Sequence, residues 1–279
     1  MKNAVCFAAL VFAGRLDHAT AVAVASVTFV AFCFASSAVY VLNDVVDRAE
    51  DRAHPVKRRR AVAAGRVGPG TALFESALLA AAAVAVSLAL VPRARAVVAT
   101  YLVLQVAYSL VLKRIAIVDV MAIAVGFVLR VQAGIEAIGS PQSAWILLTM
   151  FFVALLLGFG KRRSELAQLP DDARGRRPVL GAYSVALLDL LLGMSATSAL
   201  LCYALYAVTV QTEETFLLTV LPVTFGILRY LMLVLVRERG EDPDELVTRD
   251  GPLVVAILVW GALTVAVLYL GLRLVPGPR

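Results

Sequence analysis

The 279-residue chain is 61% hydrophobic and 16% charged, with a formal net charge of +6 and a mean hydropathy of +0.87. A soluble domain of this length does not need so apolar a composition for its core, so lipid is the expected solvent. The positive charge is concentrated in short loops, which removes the need for nucleic acid as a partner.

A bilayer-crossing helix takes roughly 20 apolar residues and satisfies its backbone internally. The apolar runs here are too long and continuous for barrel strands. The expected fold is therefore all-α: a polytopic membrane protein of about nine spans, read as a single transmembrane domain over the whole chain. The spans centre near Val11, Phe29, Ala82, Val103, Ala124, Phe152, Leu192, Val220 and Leu258. The first is weak, because only Ala4 to Gly14 precedes Arg15. It reads as a partial span, as part of a longer natural N-terminus, or as a secretory signal following Lys2.

Lysine and arginine near membrane ends stay in the cytoplasm. Most of them lie in Arg48 to Arg66, Lys113-Arg114, Lys161 to Arg177 and Arg237 to Arg249, whereas the turns around Ser140 and Glu213 hold none. Arg93 and Arg95 are the main exception. The expected location is the inner, plasma membrane, with a cytoplasmic N-terminus, an external C-terminus and the polar chemistry on the cytoplasmic side. Cys6, Cys33 and Cys202 lie in apolar segments without CxxC spacing and read as packing residues. Isolated His18 and His54 do not suggest zinc, and no glycine-rich nucleotide loop is present.

The densest polar stretch follows the second span, from Tyr40 through Asn43-Asp44 to Asp47, Asp51 and the cations Lys57 to Arg60. If the helix continues to about Asp51, then Asn43, Asp47 and Asp51 fall at i, i+4 and i+8 on one face, with Tyr40 one turn above. Two or three hard oxygen ligands, leaving positions for water and phosphate, suit Mg²⁺ bound jointly with a diphosphate. A solvated helix end neutralising Arg48 and Arg52 is the plain alternative. Pro55 should end the helix. The cations beyond it fit either headgroup contact or an anionic substrate.

Later spans add Tyr108, Lys113 and Asp119 near one membrane face, with Arg130 about three turns deeper. An unpaired charge at that depth is costly, so Arg130 should face the bundle interior, either paired with Glu136 or another acid, or in an anion site. The sixth span ends in Gly158-Phe159-Gly160-Lys161-Arg162-Arg163, where Lys161 is the first cation and could anchor the helix or hold a phosphate. The acidic stretch Glu241 to Glu245, with Asp250 after it, reads equally as a second metal region or a solvated hinge.

Asn43-Asp44-x-x-Asp47-x-x-x-Asp51 resembles the first Asp-rich motif of the UbiA-type intramembrane prenyltransferases, a family of about nine helices. Tyr40 to Gly65, Tyr108 to Gly134, Gly160-Lys161-Arg162-x-x-Glu165-Leu166, Arg229-Tyr230 and Asp242-Pro243-x-Glu245-Leu246 are similar to the decaprenyl-phosphate phosphoribosyltransferase branch. Two departures stand out. The second DxxxD motif of the aromatic prenyltransferases is missing, since Asp119 is followed four residues on by Ile123. The branch's opening Arg-Pro-x-x-Trp-x-Lys-Asn segment survives only as Lys2-Asn3, which suggests a late start or a shortened chain.

The resemblance implies transfer of 5-phosphoribosyl from phosphoribosyl diphosphate to a polyprenyl phosphate, with release of diphosphate. It implies Mg²⁺ on Asn43 and Asp47, with Asp51 beside them as catalytic residues. Lys2, Tyr40, Lys57, Arg60, Tyr108, Lys113, Asp119, Arg130, Lys161 and Arg162 are then the candidate substrate contacts. An allylic-diphosphate prenyltransferase is the nearest alternative. An ion-coupled transporter using Asp47, Asp119 and Arg130 is the alternative of another class. A homo-oligomer is compatible with either.

Overall fold

The computed structural model describes residues 2–53, 56–168, 178–211, 213–237, 246 and 248–274. Among them there is no strand. A 3₁₀ segment, Lys2–Phe7, runs into α1 (Ala8–Phe12). Then follow α2 (Ala19–Val46), α3 (Arg48–Ala53), α4 (Pro69–Ser87), α5 (Pro92–Leu110), α6 (Val118–Ile138) and α7 (Ala144–Gln168). The short α8 (Pro178–Gly181) precedes α9 (Val185–Thr209), α10 (Val220–Leu235) and α11 (Gly251–Leu270).

Every expected span centre falls inside a helix. Seven of the described helices are long and apolar enough to cross a bilayer, so the chain is a multi-pass membrane protein. The two remaining expected spans have visible reasons to fall short. α1 and its 3₁₀ lead-in are brief, and α5 carries Arg93, Arg95 and Gln105 within 19 residues.

The chain forms two compact units. One comprises residues 2–115 and 129–141, where α2 packs against α4 and α5. Its core joins Cys6, Phe32, Ala35, Ala83, Val98, Tyr101 and Ala133. Alanines at these contacts let helix backbones approach without an aqueous hydrophobic drive. Gly134 serves the same end, because a side chain there would collide with the Cys6 carbonyl.

The other unit holds residues 116–128 and 142–279. α7 packs on α9, and α10 on α11, around Val120, Phe159, Leu188, Leu192, Tyr230 and Leu233. Two glycines of α7 make room for side chains of α6 and α10. A Cβ on Gly158 would meet Val120, and one on Gly160 would strike the buried Tyr230 hydroxyl and ring. Gly160→Ala should therefore destabilise the protein by about 1–3 kcal/mol. Thermal unfolding in detergent should show the loss, with partial recovery in Gly160→Ala/Tyr230→Phe. Additive losses in the double variant would disprove the collision.

Asp250 resolves part of the acidic stretch. It caps α11 by accepting from Leu253 N–H at 3.0 Å and takes both Arg229 Nε (3.0 Å) and Nη2 (2.8 Å). Asp250 thus caps α11 and ties it to α10, while Glu241 to Glu245 lie outside the described residues. The Arg229 hydrogen bonds hold the Asp250 carboxyl below the usual carboxylate range against the opposing effect of burial. A depressed folded pKa contributes stability that is present above the unfolded value, near ~4, and lost as pH falls through the folded one. Melting temperature should accordingly fall below about pH 4 more steeply in the native chain than in Asp250→Asn. Parallel pH profiles would refute this.

Candidate active site

The Asp-rich stretch of the first unit is helical almost throughout, with one irregular residue. α2 ends at Val46, Asp47 adopts φ −89° and ψ 6°, and α3 resumes at Arg48. Yet Asp47 N–H donates to Asn43 O and Asp51 N–H to Asp47 O, both at 2.8 Å, so the four-residue register survives the break. α3 closes at Ala53, and Pro55, the expected terminator, lies outside the described residues.

The side chains divide into two groups. Arg60 Nη1 donates to Asp44 Oδ1 at 2.9 Å and to Asp51 Oδ2 at 3.0 Å. Asp51 is 3% exposed and is engaged in closing the basic loop back onto the helix. Two further contacts pin that loop, Arg52 Nε to Ala63 O (3.0 Å) and Arg66 Nη2 to Arg59 O (2.8 Å). Within it Lys57 is half-buried, opening a 3₁₀ turn over Lys57–Arg59.

Asn43 and Asp47 form the second group. Asn43 Oδ1 is buried and has no hydrogen-bond partner among the described residues. Leaving such an oxygen unpaired is unfavourable unless something else satisfies it. Asp47 Oδ1 accepts from Lys113 Nζ, which follows α5 in the Leu112–Arg114 turn. Among the described residues no group of three His, Cys, Asp or Glu side chains could hold a metal. Two hard oxygens, one amide and one carboxylate, fit a cation that completes its shell with water and phosphate, as Mg²⁺ does. Tyr40 is exposed and Tyr108 half-buried, in the last turns of α2 and near the end of α5. Lys2 is exposed on the N-terminal 3₁₀ segment.

Arg130 makes its own set of contacts on α2, α5 and the N-terminal segment. It is 6% exposed, with Nε on Asn3 Oδ1 (2.9 Å) and Nη2 on the Tyr101 hydroxyl (2.7 Å) and Ser36 Oγ (3.4 Å). Its guanidinium carbon stands 4.7 Å from the Tyr101 ring centroid and 5.9 Å from that of Phe32. Neutral oxygens and aromatic faces thus stabilise a cation at membrane depth. Glu136, the acid considered as its mate, accepts from Gln132 at 3.0 Å. Asn3, Ser36 and Tyr101 were not legible as its partners, because they come from three separate segments.

In the second unit Asp119 is fully buried, accepting from Arg162 Nε at 2.8 Å and from the Tyr183 hydroxyl at 3.0 Å. Arg162 Nη1 also reaches Glu165 at 2.7 Å. Lys161 is exposed. Tyr183 carries no motif and was invisible to sequence reasoning.

An apolar multi-helix protein with an amide–carboxylate oxygen pair, and Lys113 just beyond a helix end beside it, has the donor set to hold a divalent cation and a phosphorylated group at a membrane face. The profile of the UbiA prenyltransferase family matches residues 4–248, and the chain belongs to that family. It is similar to "Decaprenyl-phosphate phosphoribosyltransferase" of Mycolicibacterium smegmatis, 35% identical over 255 residues that cover 88% of this chain and 80% of the relative. The protein of the same name from Corynebacterium glutamicum is 33% identical over 280 residues, 97% of this chain and 84% of that one. In fold it resembles a UbiA homolog from Archaeoglobus fulgidus bound to DMAPP and Mg²⁺, with TM-score 0.74, 16% identity, and 96% and 95% of the two chains covered.

Proposed function

We propose that this protein transfers 5-phosphoribosyl from phosphoribosyl diphosphate to a polyprenyl phosphate. The similarity at 33–35% identity to enzymes bearing that name, over most of both chains, carries the reading. The orphaned Asn43 oxygen four residues before Asp47 supports it from the structure.

Mg²⁺ held by Asn43 and Asp47 together with the diphosphate would neutralise charge on the departing group. Lys113 and Lys57 hold diphosphate or 5-phosphate oxygens, and Arg60 keeps the basic loop against Asp44 and Asp51. Tyr40, Tyr108 and Lys2 border the same substrate. The C1–O bond to diphosphate breaks as a lipid phosphate oxygen bonds to C1. That oxygen is already anionic at neutral pH, so no side chain need remove a proton. Lys161 takes the lipid phosphate. The distribution of cations supports a site on the cytoplasmic side of the inner membrane.

Purified protein given radiolabelled phosphoribosyl diphosphate and polyprenyl phosphate should yield organic-extractable label with Mg²⁺ and none with EDTA. Product from an allylic diphosphate and an aromatic acid, without labelled lipid, would reassign the chain to prenyl transfer.

A further inference from the structure

We propose that Tyr183 is a positioning residue for the lipid-phosphate side of the reaction, acting through Asp119 and Arg162. The inference rests on the assignment of Lys161 to the lipid phosphate.

The arrangement is built within one unit. Tyr183 stands between α8 and α9, 6% exposed. Its hydroxyl accepts the Ile117 N–H and donates to Asp119 Oδ1. Burial pushes the phenol up to about 12, so it remains a donor throughout the neutral range. Ile117 has φ +69°, a left-handed conformation that a β-branched residue adopts only when its surroundings impose it. One hydroxyl therefore restrains the strained entry to α6 and one oxygen of a fully buried carboxylate.

The other oxygen of that carboxylate determines where Arg162 points. With Nε on Asp119 and Nη1 on Glu165, Arg162 is directed onto internal carboxylates. It is 18% exposed. Lys161, the preceding residue of α7, is exposed. The two neighbouring cations, alike in sequence, thus have different tasks: Arg162 ties α7 to α6, and Lys161 is presented to an anion. Beside this tie α6 and α7 approach closely, with Val120 against Gly158. Without the Tyr183 hydroxyl, Asp119 keeps Arg162 but loses its second anchor. The end of α7 bearing Lys161 then gains freedom that an ordered phosphate contact must remove.

The test measures dissociation constants and KM for polyprenyl phosphate and for phosphoribosyl diphosphate, with kcat, on the purified full chain. Native protein is compared with Tyr183→Phe, Asp119→Asn and Lys161→Gln. Tyr183→Phe should raise the polyprenyl phosphate constants about fivefold, as expected for one lost hydrogen bond. Its phosphoribosyl diphosphate constants should stay within about twofold and kcat at saturating lipid should be retained, as for a loss of uniform binding. Asp119→Asn should shift the same constants, so whichever of the two folds settles the question. Lys161→Gln should shift them further. Unchanged lipid constants, or equal shifts for both substrates, would overturn the proposal; a purely structural Tyr183 would lower stability and active fraction without separating the two. If native protein binds polyprenyl phosphate but transfers no ribosyl group, the functional reading fails while the binding constants still judge Tyr183. Absence of any lipid-phosphate binding overturns both.

Discussion

Asp47→Ala is expected to lower phosphoribosyl transfer by at least about a hundredfold, the scale of removing one preorganised electrostatic group from a transition state. Asp47 supplies the charged member of the oxygen pair, and Asn43 Oδ1, buried and without a partner among the described residues, cannot hold a divalent cation alone. The loss should fall on kcat, because charge on the leaving diphosphate grows as the C1–O bond breaks. Folding should survive, since Asp47 lies in an irregular turn with its side chain 25% exposed. Asp47→Asn separates ligand from fold. It keeps the shape and one neutral oxygen, so it should unfold at the native temperature and still lose most activity. Native turnover in either variant would remove Asp47 from the metal site and leave the Lys113–Asp47 pair a loop anchor.

Arg130→Met should act on stability instead. The substitution keeps the aliphatic length but removes the donors that hold Asn3, Ser36 and Tyr101. Ser36 Oγ still bonds Asn3 Oδ1 at 3.1 Å and lies 3.2 Å from the Tyr101 hydroxyl, so part of the cluster persists. The expected destabilisation is about 2–4 kcal/mol, seen as a lower melting temperature in detergent and poorer recovery of folded protein. KM for phosphoribosyl diphosphate in the folded fraction should be unchanged. A native melting temperature with a raised KM would instead support the substrate-binding role that its sequence setting suggested.

How far the site was legible depends on how far apart its parts lie in the chain. Asn43 and Asp47 share a face because helical geometry repeats every 3.6 residues, and that relation holds even across the irregular Asp47. The same geometry cannot say which residue meets Asp47. Lys113 does, 66 positions away, although its sequence context marks it only as a cation after an apolar run. Asp51 looked equivalent to Asp47 by spacing, but the return of the loop brings Arg60 onto it and Asp44. Lys161 and Arg162 read as one basic end, and Asp119 and Tyr183, 43 and 64 residues apart from their partners, separate them.

The amino-acid sequence by itself determined the solvent, the helices and their positions, because a membrane span must be apolar along its whole length and close its own backbone hydrogen bonds. It also determined the four-residue register of the oxygen pair. Only the tertiary structure decided which charges face one another. Those pairings join segments distant in the chain, and inside a low-dielectric interior each cation must find an acceptor wherever packing places one. Arg130 among Asn3, Ser36 and Tyr101 is the clearest case: its burial followed from hydropathy, and its partners from the packing of the N-terminal 3₁₀ segment, α2 and α5 around α6.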